Sequence, residues 1–133
     1  MGSGGDAVYG CGDDPACLPR VAWFGENAGG DSHPVARLAP NAYGLYDVWG
    51  NLWEWTADCY DAAAWGRYAP EATDPGIVDM STCVARALRG GSFYLTSRDL
   101  RSSFRYWFVP SVENWNFGFR CVRGVRRQSP LVP

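Results

Sequence analysis

Large apolar residues interleave with Arg, Gly, Ser and Pro most densely between Arg89 and Arg123, RGGSFYLTSRDLRSSFRYWFVPSVENWNFGFRCVR. Phe104, Tyr106 and Phe108 recur at period two, which predicts a strand over Ser102–Phe108 with Arg105 and Trp107 on its other side. Gly118–Val122 predicts a closing strand, and Ser97–Leu100 a short helical turn. Upstream, Leu52–Thr56 alternates Trp53 and Trp55 against Glu54, again a strand, and Val84–Arg89 starts another that runs to Gly90-Gly91. Val21–Phe24 is one short apolar run in a stretch otherwise rich in Gly, Pro, Asp and Asn, so loops with one short strand are expected there. Asp58–Met80 reads as an insertion: Asp61–Trp65 can make one helical turn, and Pro70 and Pro75 stop anything longer. Short strands, long loops and little helix predict an α+β domain dominated by antiparallel sheet.

The Arg89–Arg123 stretch divides into a frame and its gaps. The frame is Arg89-Gly90-Gly91-Ser92, Arg101-Ser102-Ser103, Arg105, Pro110 and Gly118-Phe119-Arg120. The gaps hold Tyr94, Leu95, Thr96, Phe104, Tyr106, Trp107, Phe108, Val109, Val112, Asn114, Trp115, Asn116 and Phe117. From Phe93 to Phe119, nine aromatics occupy 27 residues, more than one short set of strands buries. The spacing of Phe104, Tyr106 and Phe108 suits the face of a core strand. Arg105 and Trp107 then occupy the other face, and both faces cannot be core if Arg105 is solvated. For the set as a whole, a binding surface is the better reading, since Tyr, Trp and Phe give large contact area for little rotamer entropy.

Composition narrows the classes. At 133 residues, 47% hydrophobic and 20% charged, the chain reads as one globular domain over 6–127, with an added leader at 1–5 and a tail at 128–133 that resembles a tag remnant. No run approaches the ~20 apolar residues of a membrane span. Net charge is −2, but from Arg86 onward nine Arg face only Asp99 and Glu113, giving +7, and the remainder carries three Arg and twelve acids, giving −9. Those arginines punctuate apolar positions, so they read better as pairing within the fold than as a nucleic-acid footprint. Cys11 and Cys17 can close a small loop, and Cys59 and Cys83 can staple the insertion, which leaves Cys121 over. Disulfides would favour an extracellular or surface-displayed protein; unpaired core thiols are the equal competitor. His33 is the one histidine and reads as a loop residue, not a metal ligand. Asp47, Asn51 and Glu54 lie among Gly44 and Gly50, where a carboxylate and turn carbonyls could form an oxygen-ligand calcium site or simply make turns.

The segment Asn41–Asp58 (NAYGLYDVWGNLWEWTAD), with Leu88-Arg-Gly-Gly-Ser-Phe93, Arg101-Ser-Ser-Phe-Arg105 and Gly118-Phe-Arg-Cys-Val122, resembles the formylglycine-generating (sulfatase-modifying factor) domain. The likeness covers about Val21 to Arg123. It implies a variant of the C-type lectin fold, and a structural calcium ion held by Asp47, Glu54 and the carbonyls of Gly50 and Leu52. Enzymes of that family oxidise a substrate Cys with two cysteines spaced five apart after the Gly-Gly-Ser-aromatic motif. Those positions here are Leu95 and Leu100, neither of which can be a thiolate or a copper ligand. The related iron enzymes need clustered histidines, which His33 alone cannot supply. No catalytic residue and no redox cofactor are therefore expected.

A second branch of that fold fits the layout better: the variable proteins of diversity-generating retroelements. There, adenine-directed mutagenesis rewrites Asn-type codons in a C-terminal region between fixed frame residues. The resemblance places the variable region at about 92–117. Tyr94, Leu95, Thr96, Phe104, Tyr106, Phe108, Val109, Val112, Asn114, Asn116 and Phe117 are all reachable from an Asn codon by changing adenines. Trp107 and Trp115 are not, so they are fixed or come from another codon. The expected function is non-catalytic recognition of a protein or cell-surface ligand. A truncated or degenerate sulfatase-modifying enzyme is the alternative.

Overall fold

A computed structural model of the chain describes residues 7–60 and 83–122. The leader read at 1–5, the helical turn expected at 61–65 and the tail at 128–133 lie outside those residues. Asp14 begins the first ordered turn. Its Oδ1 accepts from the Ala16 amide at 2.9 Å, and Pro15 brings a φ already suited to a helical start, so a 3-10 turn runs over Pro15–Arg20. The Cys11–Cys17 disulfide ties the preceding loop to it. Periodicity gave no hint of this turn, because a cap and a crosslink hold it in place of an apolar repeat. It exists to bury Leu18, which is fully enclosed.

Strand β1 (Ala22–Trp23) follows and pairs in parallel with β2 (Trp49–Gly50), placing Ala22 opposite Trp49 and Trp23 opposite Gly50. Gly50 is required twice over. Its φ is +74°, and a Cβ there would stand 2.0 Å from the Trp23 carbonyl oxygen. The adjoining Asn51, also left-handed at φ 58°, accepts from the His33 amide at 3.0 Å and donates to the His33 carbonyl at 3.0 Å. The two bonds pin the Gly25–Pro34 loop. The His33 ring stacks on Trp23 at 3.8 Å, in keeping with its reading as a loop residue.

The main sheet has the order β5-β4-β3-β6, built from β3 (Trp53–Cys59), β4 (Arg86–Arg89), β5 (Tyr106–Phe108) and β6 (Phe117–Gly118). β3–β4 and β4–β5 are antiparallel, as expected; β6 joins β3 in parallel. Neither parallel pair was foreseen, because pairing direction leaves no mark on local pattern. The strand expected over Ser102–Phe108 forms only at its end. The closing strand begins at Phe117, one residue before Gly118, and stops at Gly118 instead of running to Val122. A second 3-10 turn occupies Ser97–Leu100, where Thr96 and Asp99 complete a capping box.

Tyr9, Leu18, Val21, Ala22, Phe24, Trp49 and Leu100 form the core cluster, with Leu95 packed against it. The second disulfide, Cys59–Cys83, closes the insertion at its base. Cys121 is free and exposed.

Candidate ligand-binding surface

Residues paired across strands share a face of the sheet. Trp55, Leu88 and Tyr106 lie in one row, Arg86 pairs with Phe108, and Trp53 pairs with Phe117. One face therefore carries Trp53, Trp55, Leu88, Tyr106, Phe108 and Phe117 together. Ring contacts run around it: Trp53 to Tyr106 at 5.5 Å, Tyr106 to Phe108 at 5.9 Å, Phe108 to Phe117 at 5.4 Å and Phe117 to Trp55 at 5.5 Å. Phe104 extends the platform by stacking on Trp53 at 6.0 Å, with the Arg101 guanidinium 5.7 Å above its ring. Leu88 is fully buried beneath, whereas Tyr106 is 42% exposed. The platform is thus core at its floor and open at its rim.

The opposite face differs in character. Trp107, 48% exposed, stacks on Tyr60 at 5.7 Å, and the Arg105 guanidinium lies 5.7 Å from the same ring. Arg105 is half-buried there, so the period-two pattern separated two aromatic faces correctly. A third group forms where Tyr94 and Trp115 meet at 5.1 Å over buried Phe93. Trp115 is 69% exposed, the most open aromatic among the gap residues.

The gap residues consequently divide. Tyr94, Thr96, Tyr106, Trp107, Val109, Asn114 and Trp115 are exposed; Leu95, Phe104, Phe108, Val112 and Phe117 are half-buried. Asn116 is buried. Its Nδ2 donates to Tyr94 Oη at 3.2 Å and to Ser92 Oγ at 3.4 Å, and its main-chain carbonyl accepts from the Trp53 amide at 2.9 Å. It holds the exposed pair from below and does not face solvent itself. Tyr60, Trp53 and Asn51 belong to the supporting structure. The sequence placed Trp53 in a strand pattern and Asn51 among candidate oxygen ligands or turn residues, and it gave Tyr60 no role.

The frame side chains act on backbone as much as on charge. Arg89 Nη1 donates to the Phe104 carbonyl at 2.7 Å, anchoring the segment that leads into β5. Burial pushes the Arg89 pKa down, nearby Arg105 adds to this, and Asp58 opposes both. Arg101 Nε donates to the Arg98 carbonyl at 2.7 Å. Leu95 and Leu100, at the positions where the resemblance implies catalytic cysteines, are instead part of the apolar core and its margin.

The implied calcium ligands lie beside a separate open cavity of about 730 Å³. Asp47, Leu52 and Glu54 line it together with Val35, Tyr46 and Phe119. Both Glu54 oxygens face a cation that the chain itself provides: Arg120 Nε donates to Oε2 at 2.6 Å, and Arg120 Nη2 donates to Oε1. Asp47 Oδ2 accepts from the Ala36 amide at 2.8 Å. Among the described residues, no three His, Cys, Asp or Glu side chains converge as a metal cluster. This oxygen set, as arranged, does not fit a calcium ion, because the carboxylate that would hold it already holds a guanidinium.

Residues 7–125 match the sulfatase-modifying factor enzyme 1-like domain. Among curated relatives, the formylglycine-generating enzyme of Thermomonospora curvata is 37% identical over 101 residues, covering 74% of this chain and 33% of that one. The inactive C-alpha-formylglycine-generating enzyme 2 of Bos taurus is 37% identical over 100 residues, covering 71% and 27%. Among solved structures, Treponema denticola variable protein 1 superposes with a TM-score of 0.69 at 32% identity, covering 87% of this chain and 41% of that one. The chain spans from 15% to 33% of the lengths of the curated relatives it matches. With few helical residues and curled short strands, it has the α+β, C-type lectin-like fold that the sequence implied.

Proposed function

This chain belongs to the sulfatase-modifying factor enzyme 1-like domain family, and we propose that it is a non-catalytic member: a ligand-binding protein whose C-terminal region is diversified by a retroelement. The observation that carries the reading is the contrast within Arg89–Arg123. Exposed Tyr94, Tyr106, Trp107 and Trp115 stand on a frame of buried or tethered positions such as Ser92, Phe93, Arg89 and Leu100. That much exposed aromatic area is a binding surface and would be a liability without one. The likeness to a solved variable protein supports the same reading. The partner is a protein or cell-surface ligand, met outside the cell or at its surface, as the two disulfides favour. Among the described residues, no helix is long and apolar enough to cross a membrane.

The alternative, a truncated or degenerate sulfatase-modifying enzyme, draws on the active relatives. Leu95 and Leu100 disfavour it, since a side chain of carbon and hydrogen can neither form a thiolate nor bind copper. The test has two arms. Sequencing this gene from many cells of its source is expected to find substitutions confined to the gap positions, with Arg89, Arg105, Pro110 and Gly118 unchanged; scattered or absent variation would overturn diversification. Incubation with a Cys-containing sulfatase peptide is expected to yield no aldehyde, and its appearance would restore the enzyme.

A further inference from the structure

Glu54 and Arg120 lie 66 residues apart and meet on one side of the sheet. β6 brings them together, because its Gly118 is the register partner of Glu54 and Arg120 follows two residues on. The guanidinium does more than pair with the carboxylate. Its Nη2 also donates to the carbonyl of Tyr46 at 3.0 Å and to that of Asp47 at 3.1 Å. One planar cation thus gathers a β3 carboxylate and two carbonyls of the loop before β2. An anionic oxygen with turn carbonyls is the donor chemistry a hard divalent ion would use. The backbone at Asp47 is left-handed, with φ 53°, in the turn that offers its carbonyl.

We propose that Arg120 is the resident cation of this oxygen cluster, so that the chain fastens its 41–47 loop to β3 with a guanidinium and takes no calcium there. A calcium ion on Glu54 would stand beside the guanidinium and compete for the same carboxylate. The bidentate fork suits arginine and not lysine, whose ammonium is a single point charge. The hydrogen bond to Glu54 raises the Arg120 pKa, partial burial opposes this, and the charges of Glu54 and Asp47 add to the rise. With side-chain exposures of 35% for Arg120 and 22% for Glu54, the cluster is only partly shielded from solvent.

The experiment is thermal unfolding of the oxidised, full chain in EDTA and in millimolar CaCl2, alongside calorimetric titration with CaCl2. The melting temperature is expected to agree between the two conditions within about 1 °C, with no heat of binding. Arg120→Gln is expected to lower it by about 4 °C, Glu54→Gln by a similar amount, and the double variant by no more than either alone. Arg120→Lys, which keeps the charge but loses the fork, should fall between. A calcium-dependent rise in wild-type melting temperature, or a titratable calcium site, overturns the proposal. So does an Arg120→Gln variant that melts with the wild type. If Arg120→Gln does not fold, the wild-type calcium measurements and Arg120→Lys still decide.

Discussion

Asn116 and Trp115 are neighbours in sequence and opposites in role. Asn116 is 1% exposed and joins Ser92, Tyr94 and the Trp53 amide, whereas Trp115 is 69% exposed and touches Tyr94 and Phe93. Removing the Asn116 side chain takes a donor from buried Ser92 Oγ and from Tyr94 Oη and leaves a cavity beneath them, so Asn116→Ala should destabilise by about 1–3 kcal/mol in urea unfolding. Trp115→Ala should change stability by less than about 1 kcal/mol, since its two ring contacts lie at a largely exposed position. Once a partner is identified, the same substitution should weaken binding at least ~10-fold, as loss of an aromatic anchor does. The frame-and-gap layout puts both residues in the gaps, and codon arithmetic reaches Asn116 but not Trp115. Neither tells which of the two is buried, because codon identity carries nothing about which way a side chain points.

At the scale of elements, the antiparallel strands were legible because they carry a period-two pattern, and β3 and β4 formed close to where it placed them. β2 was not, being two residues long and fixed by contact with β1. Gly50→Ala tests that contact. A left-handed φ and a clash with the Trp23 carbonyl should together cost about 3 kcal/mol, read as a lower urea midpoint at unchanged slope. The Cys59–Cys83 bridge spans 24 positions and ties the end of β3 to the chain entering β4. Its selective loss in a Cys59→Ser, Cys83→Ser variant should cost roughly 3 kcal/mol, since the unfolded chain regains the closed loop's freedom. Equal stability with and without the bridge would show that the β3–β4 ladder alone holds the insertion.

For the whole molecule, anchored frame residues hold the fold and exposed aromatic gap residues stand on them. Arg89 ties the approach to β5 by a carbonyl, and the Gly50–Asn51 turn ties β1 and the His33 loop to β3. The aromatic rings ride on these anchors. Exchanging exposed gap residues should therefore leave melting temperature within about 2 °C while changing which ligand is bound, measured on a panel of Tyr94, Tyr106 and Val109 variants. Comparable losses of stability across that panel would mean that the surface is part of the core.

The sequence by itself determined the family, the α+β class and the positions of the patterned strands. These are local or ordered-motif properties, written in residue identity and spacing. Only the tertiary structure decided which gap residues face solvent, that β6 runs parallel to β3, and that Glu54 meets Arg120 across 66 positions. Such facts depend on what chain closure brings together, and no local period encodes them. The aromatic surplus could be counted from the sequence. Its separation into a half-open platform, a second face and the Tyr94–Trp115 pair needed the register of the sheet.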